Sequence, residues 1–134
     1  MGDELEPSEG LRRFLFTSID SAEQLEILLR LFKNPAEAHT VENLSRELRS
    51  SVGSAELRIR ALLKLKLVRA LAGPPRAYQY AGDEEQSVVL SELADRYQRQ
   101  RHRILELVFS PLKKARHIVS SFDFQKDEGG GKNG

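Results

Sequence analysis

The sequence predicts a mainly α domain that carries one small two-stranded β hairpin and ends in further helices. Three observations carry that expectation. Leucine, isoleucine and valine recur at helical spacing behind Ser21, Thr40, Ser51 and Asp83, residues that can cap the helices they precede. The stretch VRALAGPPRAYQY (68–80) breaks this pattern with short apolar runs around Gly73-Pro74-Pro75. A chain of 134 residues with 40% hydrophobic and 31% charged content also fits one folded domain.

Taken in order, residues 1–10 hold four acids and no base and are expected to be disordered. LRRFLFTSI (11–19) sets Leu11, Phe14, Leu15 and Ile19 at helical spacing, while Phe16-Thr17 leave a short strand open, so it is read as a docking segment. Ser21 and Gln24 form a capping box for a helix over 21–34, whose stripe is Leu25, Leu28, Leu29 and Phe32 and which stops at Asn34-Pro35. Thr40 caps a short helix that buries Val41, Leu44 and Leu48. A polar break at 49–51 follows, and Ser51 caps a third helix to about Lys66, with Ala55, Ile59, Leu62 and Leu63 inward.

Val68 to Ala72 and the alternating Tyr78 and Tyr80 make the hairpin. Asp83 and Gln86 then open a single long helix to about Phe109. Pro111 suits the first turn of a last helix that buries Leu112, Ala115, Ile118, Val119 and Phe122, before the polar tail KDEGGGKNG. The expected divisions are therefore 1–10, 11–82, 83–124 and 125–134.

Composition excludes several classes of function. There is no cysteine, so disulfide and thiol chemistry are ruled out. No stretch approaches the roughly 20 apolar residues of a membrane span, and the acidic opening does not resemble a secretory signal, so a cytoplasmic protein is expected. His39, His102 and His117 stand singly without metal-ligand spacing, so no metal is expected. No phosphate loop, nucleophile elbow or dinucleotide fingerprint occurs, Glu84-Glu85 suit a helix start, and neither a cofactor nor enzyme activity is expected. The net charge of +1 conceals blocks of sign, among them five acids and no base at 81–95 against seven bases and one acid at 96–120.

The segment TVENLSRELRSSVGSAELRIRALLKLKLVRALAGPPRAYQY (40–80) runs helix, tight turn, helix, hairpin, and resembles the winged helix-turn-helix of bacterial transcription regulators of the MarR and ArsR type. Leu67-Val68 match the apolar pair that opens the wing, although Lys66 stands where the family usually has glycine. The resemblance implies binding to double-stranded DNA, with 51–66 as the recognition helix in the major groove and 68–80 as the wing on the backbone. It directs Val52, Gly53, Ser54, Glu56, Leu57 and Arg60 at the groove, with Arg58 beside them. Ser54, Arg58, Arg60, Arg69 and the wing-tip Arg76 are the candidate DNA contacts, and Arg46, Arg49, Lys64 and Lys66 can add phosphate contacts.

Regulators of this type commonly pair through their last helices, and Leu90, Leu93, Tyr97, Ile104 and Leu107 follow the three-and-four spacing of a coiled-coil seam, the candidate homodimer contact. On the same helix RYQRQRHR (96–103) needs acidic partners. Nucleic-acid phosphate, joined by KKAR (113–116), and the 82–95 block of a partner subunit are the two answers, with intersubunit pairing favoured over a solvated face. A ligand pocket near Phe14, Phe16, Tyr78 and Tyr80 is a further expectation. The alternative function is a winged-helix module that docks another protein, since Glu56 and Leu57 are poor base readers.

Overall fold

The computed structural model describes residues 6–110. Nine elements follow one another: α1 (Glu9–Ser18), α2 (Ala22–Lys33), β1 (His39–Thr40), α3 (Val41–Leu48), α4 (Val52–Lys64), β2 (Val68–Leu71), β3 (Ala77–Tyr80), α5 (Glu84–Arg99) and α6 (Arg101–Val108). The helix expected after Pro111, the KKAR cluster and the polar tail lie outside the described residues.

The segment 11–19 is helical, and its helix begins earlier than expected. Ser8 caps α1 by accepting from the Leu11 amide, so Glu9 and Gly10, expected to be disordered, form its first turn. Ser21, Thr40, Ser51 and Asp83 cap α2, α3, α4 and α5 as the sequence predicts. Asp83 and Gln86 exchange both bonds of a capping box, whereas at α2 the Gln24 side chain accepts from the Asp20 amide.

Between α3 and α4 the chain turns through Arg49 in the left-handed conformation (φ 56°). Lys66 is left-handed as well (φ 62°), which accounts for the family's glycine at this position: a side chain there costs about 1–2 kcal/mol that glycine avoids.

The sheet has three strands in the order β1-β3-β2, all antiparallel. The hairpin pairs Val68 with Tyr80 and Leu71 with Ala77, and the two-residue β1 adds His39 opposite Tyr78, a strand too short to show a sequence period. Tyr80 closes the far end of the hairpin: its ring meets Phe32 edge-on at 5.1 Å and its hydroxyl lies 2.9 Å from that of Ser87. A Cβ at Gly82 would overlap the Tyr80 ring, so only glycine fits at this joint as it stands.

One core joins all the helices. Leu11, Leu15, Leu25, Leu28, Leu44, Ile59 and Leu62 are fully buried together with Leu90, Leu93 and Ile104. The expected long helix is two. It breaks at Gln100 (φ −137°, ψ 48°), with no Gly or Pro to announce the break, and α6 folds back against α1. The bend turns Ile104 and Val108 into the chain's own core, so the three-and-four seam does not run along one straight helix. Leu90, Leu93 and Ile104, expected at a dimer interface, are enclosed in the monomer; Tyr97 and Leu107 are partly buried against the same core.

Candidate nucleic-acid interface

The buried stripe of α4 is Ala55, Ile59 and Leu62, which pack toward α2 and α3. The spacing of 3.6 residues per turn then fixes what faces outward: Gly53, Glu56, Leu57, Arg60 and Lys64, all exposed. Val52 and Leu57 are large apolar side chains that nonetheless remain 45% and 55% exposed.

The candidate contacts divide over this surface. Ser54 and Arg58, one turn apart, face α2 rather than solvent. The Ser54 hydroxyl donates to Glu23 Oε1 at 2.5 Å and Arg58 Nε donates to the same oxygen at 3.1 Å. Burial pushes the Glu23 carboxyl up, but the bonds from Ser54 and Arg58 outweigh it and hold the group below the usual carboxylate range. Nothing in the sequence marks Glu23, which lies 35 residues before Arg58. Arg60 remains outward, 69% exposed, with only Glu56 at 3.8 Å. It stands beside Lys64 on the rim of an open groove between α4 and the end of α1.

On the hairpin, Arg69 directs Nε and Nη2 to Gln79 Oε1 at 3.0 and 2.6 Å, and the Gln79 amide donates to the Ala36 carbonyl. Arg69 is thereby laid across the sheet. Arg76, at the tip, is exposed.

The arginine-rich stretch 96–103 finds acidic partners within its own chain. Arg96, 8% exposed, donates to Glu92 at 2.9 Å, to the Gln100 side chain at 3.2 Å and to the Glu6 carbonyl at 3.2 Å. Arg99 pairs with Asp95 at 2.6 Å, Arg103 pairs with Glu6, and Arg101 pairs with Glu26 at 3.0 Å while lying 5.5 Å over the Tyr97 ring. Two of these partners precede their arginine by four residues on α5, the helical spacing at which opposite charges meet. Tyr97 donates to Glu26 at 2.7 Å, and burial together with that carboxylate pushes its phenol up to about 12.

The aromatic residues expected around a ligand are not gathered. Phe16 lines a groove with Leu107 between α1 and α6, Tyr78 is buried under the sheet, and Tyr80 packs on Phe32. Among the described residues no group of His, Asp and Glu could hold a metal, and no helix is long and apolar enough to cross a membrane.

A helix-turn-helix formed by α3 and α4, followed by a β2–β3 wing and further helices, defines a winged-helix domain of the kind found in MarR-type transcription regulators. Solved structures share the fold. A variant of ZitR from Lactococcus lactis superposes with a TM-score of 0.51 at 16% identity, over 84% of this chain and 76% of that one. The adhesin competence repressor AdcR from Streptococcus pyogenes gives 0.51 at 17% identity, over 83% and 80%. The heme sensor PefR from Streptococcus agalactiae, in complex with heme, gives 0.52 at 9% identity, over 85% and 80%. No protein-family model matches the chain, and no curated protein matches it in sequence.

Proposed function

We propose that the chain is a DNA-binding transcription regulator of the winged-helix type, acting in the cytoplasm as a homodimer, without catalytic activity of its own. The observation that carries this reading is the exposed outward face of α4, which no other element of the described residues covers, with Arg60 and Lys64 on its rim and Arg76 at the tip of the adjacent wing. That face enters the major groove, and Arg76 meets the backbone or minor groove beside it. Arg69, laid on Gln79, supports the wing, and Ser54 and Arg58 set the angle of α4 on α2.

With Leu90, Leu93 and Ile104 enclosed, the proposed dimer face is the α1–α6 side, where Phe16 and Leu107 line a groove and Phe109 is half exposed. Two copies paired there would present their α4 helices to half-sites about 34–36 Å apart.

Fluorescence anisotropy of a labelled mixed-sequence duplex, at low salt and at about 200 mM, tests the reading. The wild type is expected to bind with a steep loss of affinity on adding salt, and Arg60→Ala/Arg76→Ala to lose affinity and reduce the slope by about 2. Absence of binding at low salt overturns it. Protein docking would then take its place, for which the exposure of Leu57 is the specific observation.

A further inference from the structure

Resting on the DNA-binding reading above, we infer that α4 recognises thymine through the thymine methyl group, with Leu57 and Val52 as the specificity-determining residues and Glu23 as the positioning residue that keeps polar side chains of the same helix out of the groove.

The polar side chains on the first turns of α4 are already engaged. Ser54 and Arg58 both donate to Glu23 Oε1, whose side chain is only 17% exposed. Glu56 and Arg60 lie 3.8 Å apart and partly cancel each other's charge at the base edges. Beside this charged pair, the outward face of the first turns carries two large apolar side chains. Val52 and Leu57 are exposed on the N-terminal half of α4, and a Cβ at Gly53 would meet nothing within 4 Å, so the backbone there lies open.

Apolar surface held in water is unfavourable in proportion to its area, and an exposed leucine and an exposed valine are each relieved by an apolar partner. In the major groove one base feature is apolar, the C5 methyl of thymine, and it projects toward a docked helix. Arg60 and Lys64 border the patch, and Arg46 and Arg49 are exposed nearby, so the surrounding charge suits a phosphate-lined partner.

The test begins with selection of duplexes from a randomised library by the full chain at low salt. Thymines of the selected half-site are then replaced by uracil, which removes the methyl group and nothing else. Wild type is expected to bind the uracil duplex about fourfold more weakly per contacted methyl, the effect of burying one methyl group. Leu57→Ala and Val52→Ala are expected to lose that difference while keeping the salt slope of wild type. Both positions are exposed, and Leu57→Gln, which keeps a good helix former, repeats the test should the alanine variant be misfolded by circular dichroism.

Equal wild-type affinity for the thymine and uracil duplexes, or a difference undiminished in both variants, overturns the inference and leaves DNA binding standing. Failure to bind any duplex overturns both. Glu23→Gln is expected to release Arg58 and move the selected consensus toward guanine, and an unchanged consensus overturns the role given to Glu23.

Discussion

Two arginine-bearing regions of this chain are built in opposite ways. From 96 to 103 four arginines crowd into eight positions, and each meets a carboxylate of the same chain: Glu92, Asp95, Glu26 or Glu6. On α4 and the wing the arginines are spread out; Arg58 and Arg69 are held by Glu23 and Gln79, while Arg60 and Arg76 remain at the surface. The difference teaches that a dense basic run is not by itself a nucleic-acid surface. Like charges so close repel unless compensated, and here the chain supplies the compensation, whereas among the sparse cations Arg60 is met by Glu56 alone. The dense run ties the α5–α6 bend to the N-terminal segment; Arg60 and Arg76 stay exposed.

The largest effect that would break this comparison concerns the core beneath the dense region. Leu93→Ala should cost about 2–5 kcal/mol in urea denaturation, at any protein concentration, because the side chain is enclosed within one chain. Loss of a dimer without loss of monomer stability would place Leu93 in an interface instead.

Next comes Arg96→Ala, which leaves Glu92 half compensated and unties the Glu6 carbonyl and Gln100. It should lower stability by about 2 kcal/mol. Arg76→Ala should change stability by less than about 0.5 kcal/mol. Thermal melts of the two variants side by side sharpen the contrast, and equal destabilisation would abolish it.

Smaller effects follow from pH. At Glu92 and Glu26 burial raises the carboxyl, but bonds from Ser8 and Arg96 at the first, and from Tyr97 and Arg101 at the second, outweigh it and leave both below the ordinary carboxylate value of 4.5. The unfolded chain therefore takes up protons first. Stability contributed by these groups is complete above pH 4.5 and is lost as pH falls through their lower folded values. Tyr97 works in the other direction. Its folded value of about 12 lies above the ordinary phenol value of 10.0, so its contribution is complete below pH 10 and fades between 10 and about 12. Denaturation across pH should show both limbs, with a shallower acid limb in Arg96→Ala and a reduced alkaline limb in Tyr97→Phe, where burial of Tyr80 still raises one phenol.

Much of the fold was legible because caps and stripes are local signals. Ser21, Thr40, Ser51 and Asp83 each announce a helix within four residues, and Gly73-Pro74-Pro75 announces the turn of the wing. What escaped was set at a distance. His39-Thr40 becomes a strand only because β3 offers it an edge, and the bend at Gln100 is favoured by packing of α6 on α1 with no breaker residue. The site was legible in outline and not in orientation. Periodicity places Ser54 and Arg58 on the flank of α4, but that this flank meets a carboxylate depends on Glu23, more than 30 residues away. The seam through Leu90, Leu93 and Ile104 had the right spacing for a coiled coil, and the same spacing serves a helix packed on its own domain.

Gly82 bears on how this molecule would meet a duplex. A side chain there would meet the Tyr80 ring, which seats the root of the wing against Phe32 of α2 and Ser87 of α5. On the DNA-binding reading proposed above, a wing seated in this way would leave part of any mismatch in shape to the DNA, and base pairs that no side chain touches would then acquire a vote in which sequence is chosen.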